Sequence, residues 1–344
     1  MRIGFYGLPC AGKTTILSTL KNIEVLSGSD LLKELKPDFH TCKEWEKEEV
    51  RKELAKSLFK IENFIMDGHY AFGKNVVFTE EDGNLYDVFL YRYVNAEEIK
   101  KRMMDSKKNI KYVNNDIEAW QLFEMESLRE YCHMHNKDFY VVDSQDDFEI
   151  KTFIDSILCG FSCVEKAKQI VNSIHEQDEI TLIDGDKTYI KEDSTGILGY
   201  KTHIFDGNFY TGFQSWKHHR DFYDYLRCID CMDLSKYSLT RNEKVLNKIK
   251  RNQIILTTGY YGMYKQIEKE DSIQVMHGND ICADTKYFVT KFLQEKGNKV
   301  IAFGDSMNDY YMLKQADEGY LVKKEDGIIS SSLKGKNMEG IYYV

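Results

Sequence analysis

The stretch Arg2-Ile3-Gly4-Phe5-Tyr6-Gly7-Leu8-Pro9-Cys10-Ala11-Gly12-Lys13-Thr14-Thr15 decides how the first half of the chain is read. An apolar run reading as a strand leads into G-x-x-x-x-G-K-[ST], and a helical pattern follows from Lys13 to about Leu20. Strand, glycine loop and helix in this order let successive backbone N–H groups curl round a phosphate, because neither Gly7 nor Gly12 brings a Cβ into the way. Lys13 is suited to reach the β and γ oxygens, and the Thr14 hydroxyl, with Thr15 beside it, to ligate Mg²⁺. ATP with Mg²⁺ is the expected ligand of this loop.

Outward from the loop, short apolar runs alternate with longer polar, helix-period segments. Strands are expected at Glu24–Leu26, Phe64–Met66, Val88–Val94 and Phe139–Val142, and helices over Lys43–Ile61 and Ile110–His135. Polar residues accumulate at Asp143–Asp147, and a helix through Leu158 closes the unit. A second αβ pattern begins near Phe161, with buried strands expected at Ile180–Ile183, Ile254–Leu256 and Val300–Phe303. Strands alternating with helices imply parallel sheets covered on both faces. The fold class is α/β, with two doubly wound parallel-sheet domains over residues 1–160 and 161–344.

A length of 344 residues suits two domains. Two prolines, Pro9 and Pro37, exclude a proline-rich linker. The net charge of −9 disfavours extended duplex binding, while leaving room for a focused anion site. No apolar run approaches the roughly 18 residues a membrane span needs, so a cytoplasmic protein without a membrane partner is expected. Cys159-x3-Cys163 and Cys228-x2-Cys231 admit a four-thiolate zinc site on spacing alone. No histidine pattern supports a metal there, and reduced thiols are the preferred reading.

Asp67 ends the run Phe64-Ile65-Met66, where a carboxylate can face a metal or an acceptor. Asp30, in Leu26-Ser27-Gly28-Ser29-Asp30, has two open readings: a base that takes the proton of an attacking hydroxyl, or the N-cap of a helix over Leu31–Leu35. His69 is open between an acceptor ligand and a loop histidine, and Arg129 reads as a structural ion pair on the long helix. The loop, the stretch Ile65-Met66-Asp67-Gly68-His69-Tyr70 and the stretch Ala96–Asp105 together resemble the adenylate-kinase-like group of P-loop kinases, notably the small archaeal-type nucleotide kinases. The resemblance covers most of residues 1–158. It implies a kinase fold whose closing segment supplies arginines to the transferred phosphoryl group. Arg102 fits that role, whereas Lys107 and Lys108 stand where further arginines are usual, and lysine lacks the bidentate fork.

In the second half, Leu182-Ile183-Asp184-Gly185-Asp186-Lys187-Thr188 is an apolar strand ending in D-x-D-x-T. Two carboxylates spaced by one residue can divide labour, the first as nucleophile and the second as acid and base. Thr257 ends Ile254-Ile255-Leu256 with a hydroxyl suited to a phosphoryl oxygen. Asp305 and Asp309 follow Val300-Ile301-Ala302-Phe303-Gly304 and suit Mg²⁺. Lys286 precedes a helical stretch and can neutralise the gathered charge, with Lys291 a weaker alternative. In order and spacing these elements resemble the haloacid-dehalogenase superfamily, particularly its phosphoserine-phosphatase-like branch, over residues 177–335. The resemblance implies Asp184 as aspartyl-phosphate nucleophile, Asp186 as acid/base, Thr257 as phosphoryl ligand and Lys286 as charge-balancing lysine. It further implies an Mg²⁺ site drawn from Asp184, Asp186, Asp305 and Asp309. Lys187 departs from the glycine usual in that family.

The long interval between Asp184 and Thr257 implies a helical C1-type cap, roughly 195–248. Its Phe205–Tyr210 and Phe213–Arg220 segments mix aromatics with cations. They can stack a base and hold a phosphate, or simply fill the cap's own core, and the second reading is preferred. Lys217 and Arg220 are its candidate ligands. The expected function is bifunctional. An ATP-dependent kinase would act on a nucleotide, nucleoside or nucleic-acid 5′ end, followed by a Mg²⁺-dependent phosphomonoesterase. The domain order resembles bacteriophage-type polynucleotide kinase–phosphatases in architecture. The alternative is a phosphatase regulated by a non-catalytic ATP-binding domain. The expected partner is a small phosphorylated substrate or a nucleic-acid end.

Overall fold

The computed structural model describes residues 1–107, 109–175, 177–200, 210–228, 237–249 and 252–344. Lys108, Cys231 and the Phe205–Phe209 part of the expected cap lie outside the described residues. The chain divides into two compact units, Met1–Phe161 and Ser162–Val344.

In the first unit the strands are β1 (Arg2–Tyr6), β2 (Glu24–Ser27), β3 (Phe64–Asp67), β4 (Ala71–Phe72), β5 (Asn75–Val76), β6 (Val88–Arg92) and β7 (Asp138–Val142). Five of them form a parallel sheet in the order β2-β3-β1-β6-β7, while β4 and β5 make a small hairpin. The helices are α1 (Lys13–Leu17), α2 (Gly28–Leu35), α3 (Glu44–Leu58), α4 (Glu80–Leu85), α5 (Ala96–Ser106), α6 (Ile117–Met134) and α7 (Asp147–Leu158). Every residue of β6 and β7 is buried, which explains their near-continuous apolar runs. Two expected helices shorten for local reasons. The first stops at Leu17, where the Ser18 and Thr19 hydroxyls turn back to the carbonyls of Thr15 and Ile16. The expected helix over Ile110–His135 breaks into a short 3₁₀ turn at Ile110–Tyr112 and α6, which Asp116 caps by accepting from the Ala119 N–H.

The second unit contains β8 (Glu179–Asp184), β9 (Gln253–Thr257), β10 (Gln274–His277), β11 (Lys299–Gly304), β12 (Glu318–Leu321) and β13 (Ile341–Tyr343). Its sheet is wholly parallel in the order β10-β9-β8-β11-β12-β13. Its helices are α8 (Cys163–Ser173), α9 (Gly212–Arg227), α10 (Glu243–Leu246), α11 (Tyr261–Asp271), α12 (Ala283–Glu295) and α13 (Met307–Gln315). Ile183, Ile255, Ile301 and Phe303 pack into one buried cluster with Val245 of α10. This end of the expected cap interval therefore belongs to the core beneath the sheet. The aromatic residues of α9 pack among themselves and their neighbours: Phe222 is buried beside Leu198 and Met263, with Tyr200 against it. No helix among the described residues is long and apolar enough to cross a membrane.

In both sheets the first strand is central, and strand order runs away from it in two directions. The crevice that this reversal opens, outside the carboxyl ends of the strands, is where parallel α/β sheets place ligands.

Candidate functional site

Each unit places its chemistry at that crevice. In the first, β1 delivers the glycine loop, its neighbour β3 ends in Asp67, and its other neighbour β6 ends in Arg92. The loop turns through left-handed backbone at Gly12 (φ 87°), where an added Cβ would meet the Arg102 guanidinium at 3.3 Å. Lys13 is buried; its ammonium donates to the Gly7 carbonyl at 2.6 Å and to the Leu8 carbonyl at 3.2 Å. Burial lowers its pKa to about 8, against the opposing pull of Asp67 and Glu124. His69 Nδ1 lies 3.1 Å from the Gly7 carbonyl, and burial together with the Lys13 charge holds its ring well below the usual imidazole range.

A cleft of about 540 Å³ brings together Gly12, Lys13, Thr14, Thr15, Asp67 and Arg102. Arg102 reaches it from α5, with Nε on Glu98 at 2.9 Å and Nη1 3.5 Å from the Cys10 carbonyl. Arg92, which the sequence reading passed over, lines the same cleft and donates to the carbonyls of Ser144 and Val142. A cation inside the otherwise apolar run Val88-Phe89-Leu90-Tyr91-Arg92 was its signal. The cleft thus holds two guanidiniums and one ammonium, a donor set that fits a polyphosphate.

Asp30 is not the N-cap of α2. Ser27 is the N-cap of α2, accepting from the Asp30 N–H, and Asp30 sits in the first turn in an exposed ion pair with Lys33. Asp67 instead accepts from the Gly28 N–H at 3.2 Å and lines the cleft. Arg129 is buried, with its guanidinium 5.6 Å from the Phe139 ring. A second missed group is Glu124, fully buried on α6. It accepts from Tyr91 Oη (2.9 Å), Trp120 Nε1 (3.0 Å) and the Ala71 N–H (2.9 Å).

In the second unit β8 ends in Asp184, β9 in Thr257, and β11 leads into Asp305. Lys286 rises from α12, has no exposed surface, and donates to Oδ1 of Asp184 and, at 2.7 Å, to Oδ1 of Asp309. Burial opposes its charge, but the two carboxylates more than offset that and hold it protonated above the ordinary lysine range. Lys291, a turn further along α12, has its pKa lowered by burial, and it is Lys286 that contacts the carboxylates. Asp309 also accepts through Oδ2 from the N–H groups of Asp305 and Ser306, so one side chain closes the loop and faces the site.

Ligand oxygens of Asp184, Asp305 and Asp309 lie within 4.8 Å of one another. Three carboxylates outnumber the Lys286 ammonium between them and the Lys187 ammonium, itself paired with Asp193, that also acts on Asp305, and the all-oxygen donor set fits a hard divalent cation such as Mg²⁺. Burial and the neighbouring carboxylates raise the pKa of Asp305 well above its ordinary value, the response of a site short of positive charge. The Asp186 carboxylate, from a residue also expected at the metal, is not among the three that meet here. Its Oδ2 accepts from the N–H and hydroxyl of Ser194, and its Oδ1 from the Tyr264 hydroxyl at 2.6 Å. Burial pushes its pKa up to about 6, with Asp193 adding to the rise and those hydrogen bonds restraining it.

Thr257 is buried, its Oγ1 accepting from the Gly259 N–H at 2.9 Å. Lys187, in place of the usual glycine, has left-handed backbone (φ 57°), a conformation that costs a lysine about 1 kcal/mol. Its ammonium is held by Asp193 at 2.8 Å. In the cap interval, Lys217 and Arg220 both bond Asp221, and Arg220 also lies over the Trp216 ring. The cysteines among the described residues are free of disulfides.

Residues 160–329 match the family model of haloacid dehalogenase-like hydrolases, and residues 6–120 match that of an AAA domain. Comparison with curated proteins found no match. Among solved structures, shikimate kinase from Acinetobacter baumannii in complex with shikimate is 13% identical, with 46% of this chain and 92% of that chain covered at a TM-score of 0.34. Deoxyadenosine kinase from M. mycoides with bound dATP is 18% identical, covering 46% of this chain and 100% of that one at a TM-score of 0.32. A HAD family hydrolase from Salmonella enterica subsp. enterica serovar Typhi is 16% identical, covering 49% and 68% respectively at a TM-score of 0.34. The first half of the chain is thus similar to an AAA domain and the second half to haloacid dehalogenase-like hydrolases.

Proposed function

We propose that the chain is a bifunctional kinase and phosphatase. Its N-terminal unit passes the γ-phosphoryl group of ATP to a nucleotide, nucleoside or nucleic-acid 5′ end. Its C-terminal unit hydrolyses a phosphomonoester through an aspartyl-phosphate on Asp184. The observation that carries the reading is Lys286, buried between Asp184 and Asp309 beside Asp305 at the carboxyl end of the central strand.

In the C-terminal unit Lys286 occupies Oδ1 of Asp184 and leaves Oδ2 to attack phosphorus. As that bond forms, the bond from phosphorus to the ester oxygen breaks, and Asp186 gives its proton to the leaving alcohol. Asp186 then takes a proton from the water that attacks the aspartyl-phosphate, releasing inorganic phosphate and restoring Asp184. A pKa near 6 lets Asp186 serve in both directions close to neutral pH. Thr257 binds a phosphoryl oxygen. Mg²⁺ held by Asp184, Asp305 and Asp309 would supply electrostatic stabilisation of phosphoryl oxygens.

In the N-terminal unit Lys13, Arg92 and Arg102 bind and orient the triphosphate, with Mg²⁺ expected at Thr14. Asp67 lies where it can accept the proton of the attacking hydroxyl. Because the two units act on opposite sides of phosphoester chemistry, they serve different positions or successive steps; on one identical group they would merely consume ATP.

Incubation of the full chain with γ-labelled ATP and a panel of nucleosides, nucleotides and 5′-hydroxyl oligomers tests the first activity. Transfer that vanishes in Lys13→Ala supports it; binding of ATP with no transfer to any acceptor leaves a regulatory domain instead. Hydrolysis of an aryl phosphate tests the second, and its survival in Asp184→Asn sinks the nucleophile assignment.

A further inference from the structure

The N-terminal unit has a second cavity, of about 600 Å³, that shares Asp67 and His69 with the phosphate-loop cleft. That volume matches a small-molecule site. The shared carboxylate places its inner end where a phosphoryl group would leave the first cleft. Its walls carry the rings of Tyr6, Phe39, Phe72, Tyr86 and Tyr112, brought from β1, the segment before α3, the β4 hairpin, the end of α4 and the turn before α6. Phe72 and Tyr112 lie within 25° of parallel and form one apolar flank.

The charges in this cavity cancel. Lys47, Arg51 and Lys111 face Glu44, Asp67 and Asp82. Each cation has a neighbour in the wall, a carboxylate for one and a ring for the other two. Lys47 bonds Glu44 at 2.8 Å, Arg51 lies 5.4 Å from the Phe39 ring, and Lys111 lies 4.9 Å from the Tyr112 ring. Arg51 also sits in the fields of Glu44 and Asp82. An acceptor that already carried a phosphate would bring further negative charge to walls holding three carboxylates, with no surplus of cations to receive it. The adjoining cleft differs: there Lys13, Arg92 and Arg102 stand against Asp67 and Asp147, a surplus of one cation.

We infer that the acceptor is a neutral, ring-bearing alcohol of the nucleoside class, its ring against the aromatic walls and its hydroxyl toward Asp67. This rests on the kinase reading of the unit and narrows it, setting phosphorylated acceptors aside.

Calorimetric titration of the full chain, held with a non-hydrolysable ATP analogue, tests it with adenosine, guanosine, cytidine, uridine and thymidine, with their 5′-monophosphates, and with a 5′-hydroxyl oligomer. At least one nucleoside is expected to bind about tenfold or more tightly than its monophosphate, the size of one uncompensated charge contact. Phe72→Ala should weaken that nucleoside, and the exposed-side change Glu44→Gln should improve the monophosphate and narrow the preference. Monophosphates or the oligomer binding as tightly as the nucleosides, or no nucleoside binding at all, overturns the inference. Label transfer is scored separately. A nucleoside that binds selectively but is never phosphorylated refutes the kinase reading and leaves the selectivity standing. Transfer to monophosphates alone does the reverse.

Discussion

The Tyr264 hydroxyl donates to Oδ1 of Asp186 at 2.6 Å from a fully buried ring wedged against Gly185 and Gly259. A Cβ at either glycine would collide with that ring, so two positions forgo a side chain to seat one phenol. With Ser194 on the other oxygen, the carboxylate is fixed in direction before substrate arrives. Tyr264→Phe should therefore lower kcat for an aryl phosphate about tenfold, the worth of one hydrogen bond to a carboxylate, with KM little changed. Steady-state kinetics checks this, and an unchanged unfolding temperature separates positioning from loss of fold.

Lys286 is the counter-charge that lets Asp184 and Asp309 be buried together. Removing it strands two carboxylates, so Lys286→Met should abolish hydrolysis and cost about 3–5 kcal/mol of stability at neutral pH. Lys291→Met, further along the same helix, should leave activity within about twofold, as surface substitutions generally do. Denaturant unfolding and phosphatase assays on both variants decide between the two lysines.

The reasons that made these sites legible in sequence are physical. Buried parallel strands must be almost continuously apolar, so the polar residue that ends each run stands out: Asp67 after Ile65-Met66, Asp184 after Leu182-Ile183, Thr257 after Ile255-Leu256. The partly exposed strands were illegible by the same logic. Gln274–His277, Glu318–Leu321 and Ile341–Tyr343 lie toward the sheet margins, are short, and none is buried along its whole length, so no apolar run marks them. Tyr264, Ser194 and Glu124 were invisible for another reason. Tyr264 meets Asp186 from 78 residues away, Ser194 reaches it from eight residues on across a loop, and Glu124 gathers donors from Tyr91 and Ala71 as well as from its own helix; none of these contacts follows from a local sequence pattern. Asp186 and Asp30 were legible as acids, but the Asp186 carboxylate is directed by Tyr264 and Ser194 and the Asp30 carboxylate pairs with Lys33, which spacing cannot report.

Arg102 lies beside the phosphate loop, its Nε donating to Glu98 and its Nη1 near the Cys10 carbonyl. Arg102→Lys keeps the charge and loses the fork. The expected result is a fall in kcat for phosphoryl transfer of about ten- to a hundredfold, with the KM for ATP changed far less. An equal loss in KM would mean that Arg102 only helps hold the ground state.

Glu124 offers a test of how burial couples folding to pH. Burial pushes its carboxyl from 4.5 up to about 7, although Tyr91, Ala71 and Trp120 all donate to it. A carboxyl that binds its proton more tightly when folded contributes most below its unfolded pKa. Stability should therefore fall as pH rises from about 4.5 to about 7, by an amount on the order of 3 kcal/mol from this one group. Glu124→Gln removes that dependence at little structural cost. Its Oε1 can keep the Ala71 and Trp120 donors, and its Nε2 can donate to the Tyr91 oxygen in place of the bond that Oε2 accepts. Denaturant unfolding of the full chain at pH 5 and pH 8 should then show the variant gaining on the parent as pH rises. A parent whose stability is flat across that window, or a variant equally destabilised at both pH values, shows that Glu124 does not titrate on unfolding there.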